Sequence, residues 1–86
     1  MNDELLTLKA YVDISTYRQR VMKTLKENEV LIPTRIAKNC GLRPNHISNT
    51  LKELRQNELI ECINPEVRKG RLYRLTDKGN KIMEEL

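Results

Sequence analysis

Aromatic residues are scarce in this sequence, which holds three tyrosines and neither phenylalanine nor tryptophan. Proteins that bind single strands or RNA stack bases on several exposed rings, so this composition argues against that mode of binding. One histidine and three isolated glycines offer no obvious nucleophile–base pair and no glycine-rich phosphate loop. No carboxylate pair stands in a recognisable catalytic motif. The sequence therefore predicts that the protein is not an enzyme.

Long apolar runs are also absent, and none approaches the roughly 18 residues of a membrane span. The first residues, MNDELL, lack the basic start of a secretory signal. Cys40 and Cys62 are too few for a disulfide framework. With His46 they could suggest zinc, but no Cys-x₂-Cys pair and no fourth ligand exist, so small buried side chains are favoured. We expect a cytoplasmic, reduced protein with no cofactor, metal, membrane or evident small-molecule ligand.

Positive charge is concentrated in two parts of the chain. The 86 residues suffice for one domain with a modest core, and 16 Lys and Arg against 12 Asp and Glu give a net charge of +4. Residues 43–57 carry three cations and one anion, and residues 64–74 carry four cations and one anion. These two segments account for the whole net positive charge, so its placement matters more than its total.

Helical patterns with clear start and end signals occupy the first two thirds of the sequence. Ser15 suits an N-cap before TYRQRVMKTLKEN, whose apolar side combines Tyr17, Val21, Met22 and Leu25. The short run EVLI (29–32) then predicts a brief strand or turn. The remaining signals are Pro33 and Thr34 at the start of a second helix, Gly41 at its end, and Pro44 at the first position of a third that runs to about Asn57.

A hairpin and two less regular ends complete the pattern. The runs LIECI (59–63) and RLYRL (71–75) predict two strands joined by NPEVRKG, a turn that Asn64 and Pro65 begin and Gly70 closes. Residues 5–14 are apolar but fit either a short helix or an extended arm. A last helix begins after Thr76 and is weakened at Gly79.

These elements predict a mainly α fold with a small β-hairpin (α+β), a winged helix–turn–helix with a three-helix core plus wing. We expect a single winged helix DNA-binding domain over residues 1–86. It divides into an N-terminal dimerisation segment (1–14), a winged helix core (15–76) and a C-terminal helix (77–86).

The helix at 44–57 has one apolar side and one polar side. Ile47, Leu51 and Leu54 define the buried stripe. In such a fold the second helix of the motif enters the major groove, where Asn can pair with adenine and Lys can reach guanine. The alternative is that these are ordinary solvated residues. The predicted base contacts are Asn45, His46, Asn49 and Lys52, with a phosphate contact or solvent exposure as the other options for His46.

The wing at 64–70 and the turn before the recognition helix supply the predicted backbone contacts. Positive side chains on a protruding hairpin would meet phosphates or a minor groove beside the recognition helix. A merely solvated basic loop is the weaker alternative. The predicted backbone-contacting residues are Thr34, Arg35, Arg43, Ser48, Arg68, Lys69 and Arg71.

The sequence also resembles the winged helix–turn–helix transcriptional regulators of the MarR and ArsR kind, especially compact archaeal versions. STYRQRVMKTL, TRIA, the GL turn, ISNTLKEL, NELI and GRLYRLTDKG match in order, over about residues 15–79. The resemblance implies a sequence-specific regulator that binds double-stranded DNA. The chain is shorter than a typical MarR protein and lacks its long flanking helices. It also lacks the Cys-x-Cys pair of many ArsR metal sensors.

Two further expectations concern partners. A winged helix can instead serve as a protein-interaction module within a larger transcription or processing complex, and then its recognition helix should expose apolar side chains. Regulators of this kind usually act as two-fold dimers. Apolar residues outside the core would pack across a dimer axis, unless the N-terminal segment folds back onto its own core. The predicted dimer contacts are Leu5, Leu6, Leu8, Tyr11, Val12, Ile82, Met83 and Leu86.

Overall fold

A computed structural model describes residues 3–84 and contains five helices and a two-stranded antiparallel hairpin within that range. The predicted fold class is confirmed. In chain order the elements are α1 (Asp3–Asp13), α2 (Thr16–Asn28), α3 (Pro33–Cys40), α4 (Pro44–Gln56), β1 (Ile60–Cys62), β2 (Tyr73–Leu75) and α5 (Asp77–Glu84).

The helix boundaries follow the local signals in the sequence. The Ser15 hydroxyl accepts a hydrogen bond from the Arg18 N–H at 3.2 Å, which caps α2. The Thr76 hydroxyl caps α5 in the same way by accepting from the Gly79 N–H at 3.0 Å. Gly41 ends α3 in the left-handed conformation, with φ of 68°, which glycine adopts at little cost. The chain can therefore reverse direction between α3 and α4.

The core lies where α2, α3 and α4 meet, with the hairpin closing one side. The inner side of α4 is buried as predicted, since Ile47, Leu51 and Leu54 are all at most 5% exposed. Ile36 and Cys40 of α3 are also buried, and Ala37 packs against them. The buried apolar residues are Val12, Val21, Met22, Leu25, Ile36, Cys40, Ile47, Leu51, Leu54, Leu59, Ile60, Tyr73, Leu75 and Ile82.

The hairpin is shorter than the sequence pattern predicts, and a bridge attaches it to the helices. Ile60 pairs with Leu75 and Cys62 with Tyr73, so each strand has three residues. The run EVLI contributes only an isolated bridge, in which Leu31 and Tyr73 exchange backbone hydrogen bonds of 3.1 and 2.9 Å. This bridge places the wing directly beside the start of α3.

The N-terminal segment is a helix that packs on the chain's own core. α1 contacts α2 and α5, and Val12 and Ile82 are both fully buried. They cannot touch a second chain in this arrangement, so the prediction of dimer contacts is corrected for these two residues. The physical reason is that α1 and α5 cover the side of α2 that α3 and α4 leave open.

The other predicted dimer residues differ in exposure. Leu5, Leu8 and Met83 are partly buried against the core, and Tyr11 is half-buried. Leu6 is 53% exposed, and Ile14, just after α1, is 81% exposed. Leu86 lies outside the described residues.

No described helix has both the length and the apolar character needed to cross a membrane.

Gly79 is needed for packing, whereas the sequence alone indicates only that glycine weakens the helix. It is buried in α5, where a Cβ would collide with the Leu59 carbonyl oxygen. Glycine therefore allows the backbone of α5 to approach the residue just before β1. The Thr76 N–H donates to the same carbonyl at 3.1 Å, which holds the two segments together.

We predict that Gly79→Ala destabilises the protein by about 1–3 kcal/mol, because the added methyl group overpacks a backbone contact. In an unobstructed helix the same change would stabilise by roughly 1 kcal/mol. Chemical denaturation measures the difference. Lys81→Ala, at an exposed position of the same helix, is the control and should change the free energy of unfolding little. Stabilisation by Gly79→Ala would contradict the predicted collision.

Candidate nucleic-acid interface

The outer side of α4 carries three of the predicted base-contacting residues together. Asn45, Asn49 and Lys52 are exposed, and none has a side-chain partner among residues 3–84. They lie three or four residues apart, which places them on one side of a helix. Ser48 is exposed beside them. These groups can therefore form hydrogen bonds with an outside molecule without first breaking contacts within the protein.

His46 occupies a different environment from the two asparagines. It is half-buried, and its ring stacks on Tyr17 with centroids 4.8 Å apart and planes at 27°. Tyr17 is 39% exposed, so its predicted place on the buried side of α2 is wrong. The sequence spacing of Tyr17 fitted the apolar stripe, and no local signal showed that it would meet α4. Tyr17 is one of the residues at this site that sequence reasoning missed.

The wing is held in shape by side-chain bonds to its own backbone. Asn64 accepts from the Leu72 N–H at 2.7 Å and donates to the Gly70 carbonyl at 3.1 Å. Arg71 donates through Nε to the Val67 carbonyl at 2.7 Å and through Nη2 to the Pro65 carbonyl at 3.3 Å.

Only part of the predicted wing surface is therefore free. The Arg71 guanidinium stabilises the loop by donating to its backbone carbonyls, and its positive charge remains close to the protein surface. Arg68 and Lys69 are exposed and have no side-chain partner among residues 3–84. A folded, braced loop thus presents two free cations.

A shallow groove separates α4 from the wing. Its lining includes Ser48, Lys52 and Arg55 from α4 and Arg71 from the wing side. Arg55 was not among the predicted contacts, although its position, seven residues after Ser48, could have placed it on the same side of the helix. The groove therefore has cationic groups on both walls.

The starts of α3 and α4 add further free donors. Neither helix has a side-chain N-cap bond, and both begin with proline. Thr34 and Arg35 in the first turn of α3, and Arg43 just before α4, are exposed and have no side-chain partner in the described range. Uncapped helix N-termini carry partial positive charge and favour anions. These predicted backbone-contacting residues are thus available on the side of the molecule where α3 and α4 begin.

Ion pairing divides the cations of the protein into two groups. Within the described range, no Lys or Arg from Pro33 to Arg71 has a carboxylate partner. The five described ion pairs use cations of α1, α2, β2 and α5, namely Lys9, Arg18, Lys26, Arg74 and Lys78. Arg20, Lys23 and Lys81 are also unpaired there. Every described cation of α3, α4 and the wing therefore lacks a carboxylate partner within residues 3–84.

A buried arginine fixes the back of α4. Arg18 donates to the Glu53 carboxylate at 3.0 Å and to the Tyr11 carbonyl at 2.8 Å, and its guanidinium lies 3.6 Å from the centre of the Tyr11 ring. Its side chain is only 14% exposed. Glu53 therefore helps to hold three helices together. Its negative charge is paired with Arg18 and does not neutralise the cations on the outer side of α4.

The cysteines and the histidine do not form a metal site. Residues 3–84 contain no cluster of three potential metal ligands among their His, Cys, Asp and Glu side chains. Cys40 is buried 3.2 Å from the Thr24 hydroxyl. Burial raises the pKa of the Cys40 thiol, and the Thr24 hydrogen bond and the charge of Arg20 oppose this shift. Cys40 thus behaves as a small core side chain.

Three helices, a tight turn and a braced basic hairpin define the winged helix–turn–helix class. Residues 17–86 match the family model described as winged helix-turn-helix. The chain belongs to this family. No curated protein is significantly similar to the sequence.

Solved structures with this fold include MarR family regulators. A MarR family transcriptional regulator from Silicibacter pomeroyi has a TM-score of 0.73 and 23% identity over 81% of this chain and 46% of its own. RV1404 from Mycobacterium tuberculosis has a TM-score of 0.76 and 20% identity over 94% and 60%. A mutant MarR from E. coli complexed with operator DNA has a TM-score of 0.73 and 21% identity over 95% and 59%. This chain thus spans about half to three fifths of these proteins' lengths.

Proposed function

We propose that the protein is a transcriptional regulator that binds double-stranded DNA sequence-specifically. The observation that carries this proposal is the group of cations on α3, α4 and the wing, none of which is paired with a described carboxylate. Phosphate contacts supply most of the sequence-independent binding energy to DNA. The likeness in fold to MarR bound to operator DNA supports the same assignment.

In this proposal α4 lies in the major groove and the wing contacts the backbone or the minor groove. The exposed amides of Asn45 and Asn49 match the adenine edge, and Lys52 can reach guanine. Arg55 and Lys52 line the groove towards the wing, where they would follow the phosphates between the two elements. Arg68 and Lys69 extend the contact beyond the recognition helix.

The alternative, a protein-interaction module, finds less support on this surface. Among residues 3–84, the large apolar side chains that are well exposed are Leu6, Ile14, Tyr17 and Ile63, and none of them belongs to α4. A docking surface for a protein would concentrate apolar and aromatic residues at its centre. The outer side of α4 is polar and basic instead, which favours DNA.

Salt dependence tests the phosphate contacts. We expect the logarithm of the association constant for duplex DNA to fall linearly with the logarithm of salt concentration, by about 0.9 per phosphate neutralised. Lys69→Ala should weaken all sequences equally and reduce this slope by roughly one. Lys81→Ala removes an unpaired cation on α5 and should leave the slope unchanged. A flat salt dependence in a fluorescence titration would contradict the proposed phosphate contacts.

Asn49→Ala tests base reading by the recognition helix. Sites are first selected from a random duplex pool, since the sequence does not specify an operator. On the selected site we expect a loss of about 1–3 kcal/mol and a relaxed preference at one or two base pairs. Asn39→Ala, which removes an exposed amide on α3, is the matched control. Unchanged preference in the Asn49 variant would show that α4 does not read bases there.

We further propose that the protein acts as a homodimer on near-palindromic sites. One recognition helix gives a small footprint, and two-fold assembly doubles it. With Val12 and Ile82 used inside the core, the exposed Leu6 is the strongest of the predicted contacts, and the exposed Ile14 is added to it. The other predicted contacts in the described range are the partly buried Leu5, Leu8, Tyr11 and Met83. The exposed side chains of Leu6 and Ile14 lie on α1 and just after it, and contact with a second copy of the chain would remove them from water.

Light scattering at micromolar concentration tests the dimer. We expect a mass near twice 10.1 kDa, reduced to that of the monomer by Leu6→Lys. Thr7→Lys adds the same charge at the adjacent exposed position and is the control. Point variants are preferable to deletion of α1, because deletion removes Val12 from the core. A wild-type monomer, both free and on DNA, would rule the dimer out.

A further inference from the structure

The stacked pair of Tyr17 and His46 links two helices that have separate positions in the motif. Tyr17 lies in the first turn of α2, outside the α3–α4 unit, and His46 lies in the first turn of α4. Their ring centroids are 4.8 Å apart. A side chain at the base-reading end of α4 is thereby attached to a helix that supplies none of the predicted DNA contacts.

Stacking changes what His46 can do for a ligand. A free imidazole on a helix surface rotates about its side-chain bonds, and ordering it during binding costs affinity. Contact with the Tyr17 ring restricts that rotation beforehand, and it leaves His46 half-buried. Asn45 and Asn49 remain exposed on the same end of α4. The His46 ring, restrained by Tyr17, is therefore close to two amide side chains, Asn45 and Asn49, that are free to rotate.

A held imidazole has a defined use at a base edge. Its ring N–H can donate a hydrogen bond, and in the major groove the N7 acceptor occurs only in adenine and guanine. We propose that Tyr17 is a specificity-determining residue, which positions His46 so that the imidazole reads a purine at one base pair of the site. This inference rests on the proposed function and names a residue outside the helix–turn–helix that shapes its specificity.

The Tyr17 hydroxyl allows the role of the ring to be isolated. It has no hydrogen-bond partner among residues 3–84. Tyr17→Phe therefore keeps the stacked ring and breaks no bond within the described structure. Tyr17→Leu keeps an apolar side chain, although a shorter one, and removes the aromatic ring. Comparison of these two variants separates stacking from the presence of an apolar residue.

The first measurement is made on the free protein. The sequence contains a single histidine, so one pair of imidazole C–H resonances reports on His46 without ambiguity. We expect Tyr17→Leu to move these resonances, because they lose the shielding of the neighbouring ring, and Tyr17→Phe to leave them close to the wild-type positions. Identical spectra for wild type and Tyr17→Leu would overturn the positioning role without reference to DNA.

The second measurement compares dissociation constants for the selected duplex and for duplexes with each base pair altered in turn. Wild type and Tyr17→Phe should prefer a purine at one position by about fivefold to tenfold. Tyr17→Leu and His46→Ala should both lose this preference at that position and keep the preferences that depend on Asn49. In the His46→Ala background, Tyr17→Leu should cause no further loss of preference.

Three results would overturn the inference. One is a purine preference that survives in Tyr17→Leu. Another is its survival in His46→Ala, a change that tests the same base pair with Tyr17 intact. The third is a preference lost equally at all positions, since Tyr17 would then support α4 as a whole. Failure of the wild type to bind any duplex would refute the proposed function itself, and it is distinguished from these three by the wild-type titration.

Discussion

Burial of one side of α4 determines where the outer side chains of the proposed recognition helix point. Ile47, Leu51 and Leu54 pack against α2 and α3, and burial of each such side chain contributes about 1.5–3 kcal/mol. Because its inner side is packed in the core, α4 cannot rotate about its own axis, and its outer side keeps one orientation. The exposure of Asn45 and Asn49 is therefore a consequence of core packing, and rotation of α4 would expose the apolar stripe.

Arg18 adds a second constraint of a different kind. Its guanidinium joins α1, α2 and α4 through the Tyr11 carbonyl and the Glu53 carboxylate. Its Nε is buried without a partner in the described structure, a cost that the charge-assisted bonds and the Tyr11 ring offset only in part. This arginine therefore connects α1, α2 and α4 through a single side chain.

Signals in the local sequence were sufficient to predict α2 to α5, but they were insufficient to predict which residues from different parts of the chain contact one another. Caps, prolines and Gly41 predicted α2 to α5, because each acts within one turn of the chain. The stacking of Tyr17 on His46, the burial of Val12, the inward turn of Arg71 and the close approach at Gly79 all depend on partners distant in sequence or on loop closure. Helical spacing alone assigned Tyr17 to the core with Val21, but Val21 is fully buried whereas Tyr17 is 39% exposed and stacks on His46.

The distribution of ion pairs explains how a net charge of only +4 can support a nucleic-acid interface. Carboxylates compensate cations on α1, α2, β2 and α5, where the described ion pairs lie. Most of the cations without a described carboxylate partner lie on α3, α4 and the wing, and Arg20, Lys23 and Lys81 are the others. The local field on α3, α4 and the wing can therefore be positive although the total charge of the protein is small. Such a field attracts phosphate without distinguishing sequence. In the proposed function, discrimination between sequences depends on the side chains that can reach base edges, namely Asn45, His46, Asn49 and Lys52.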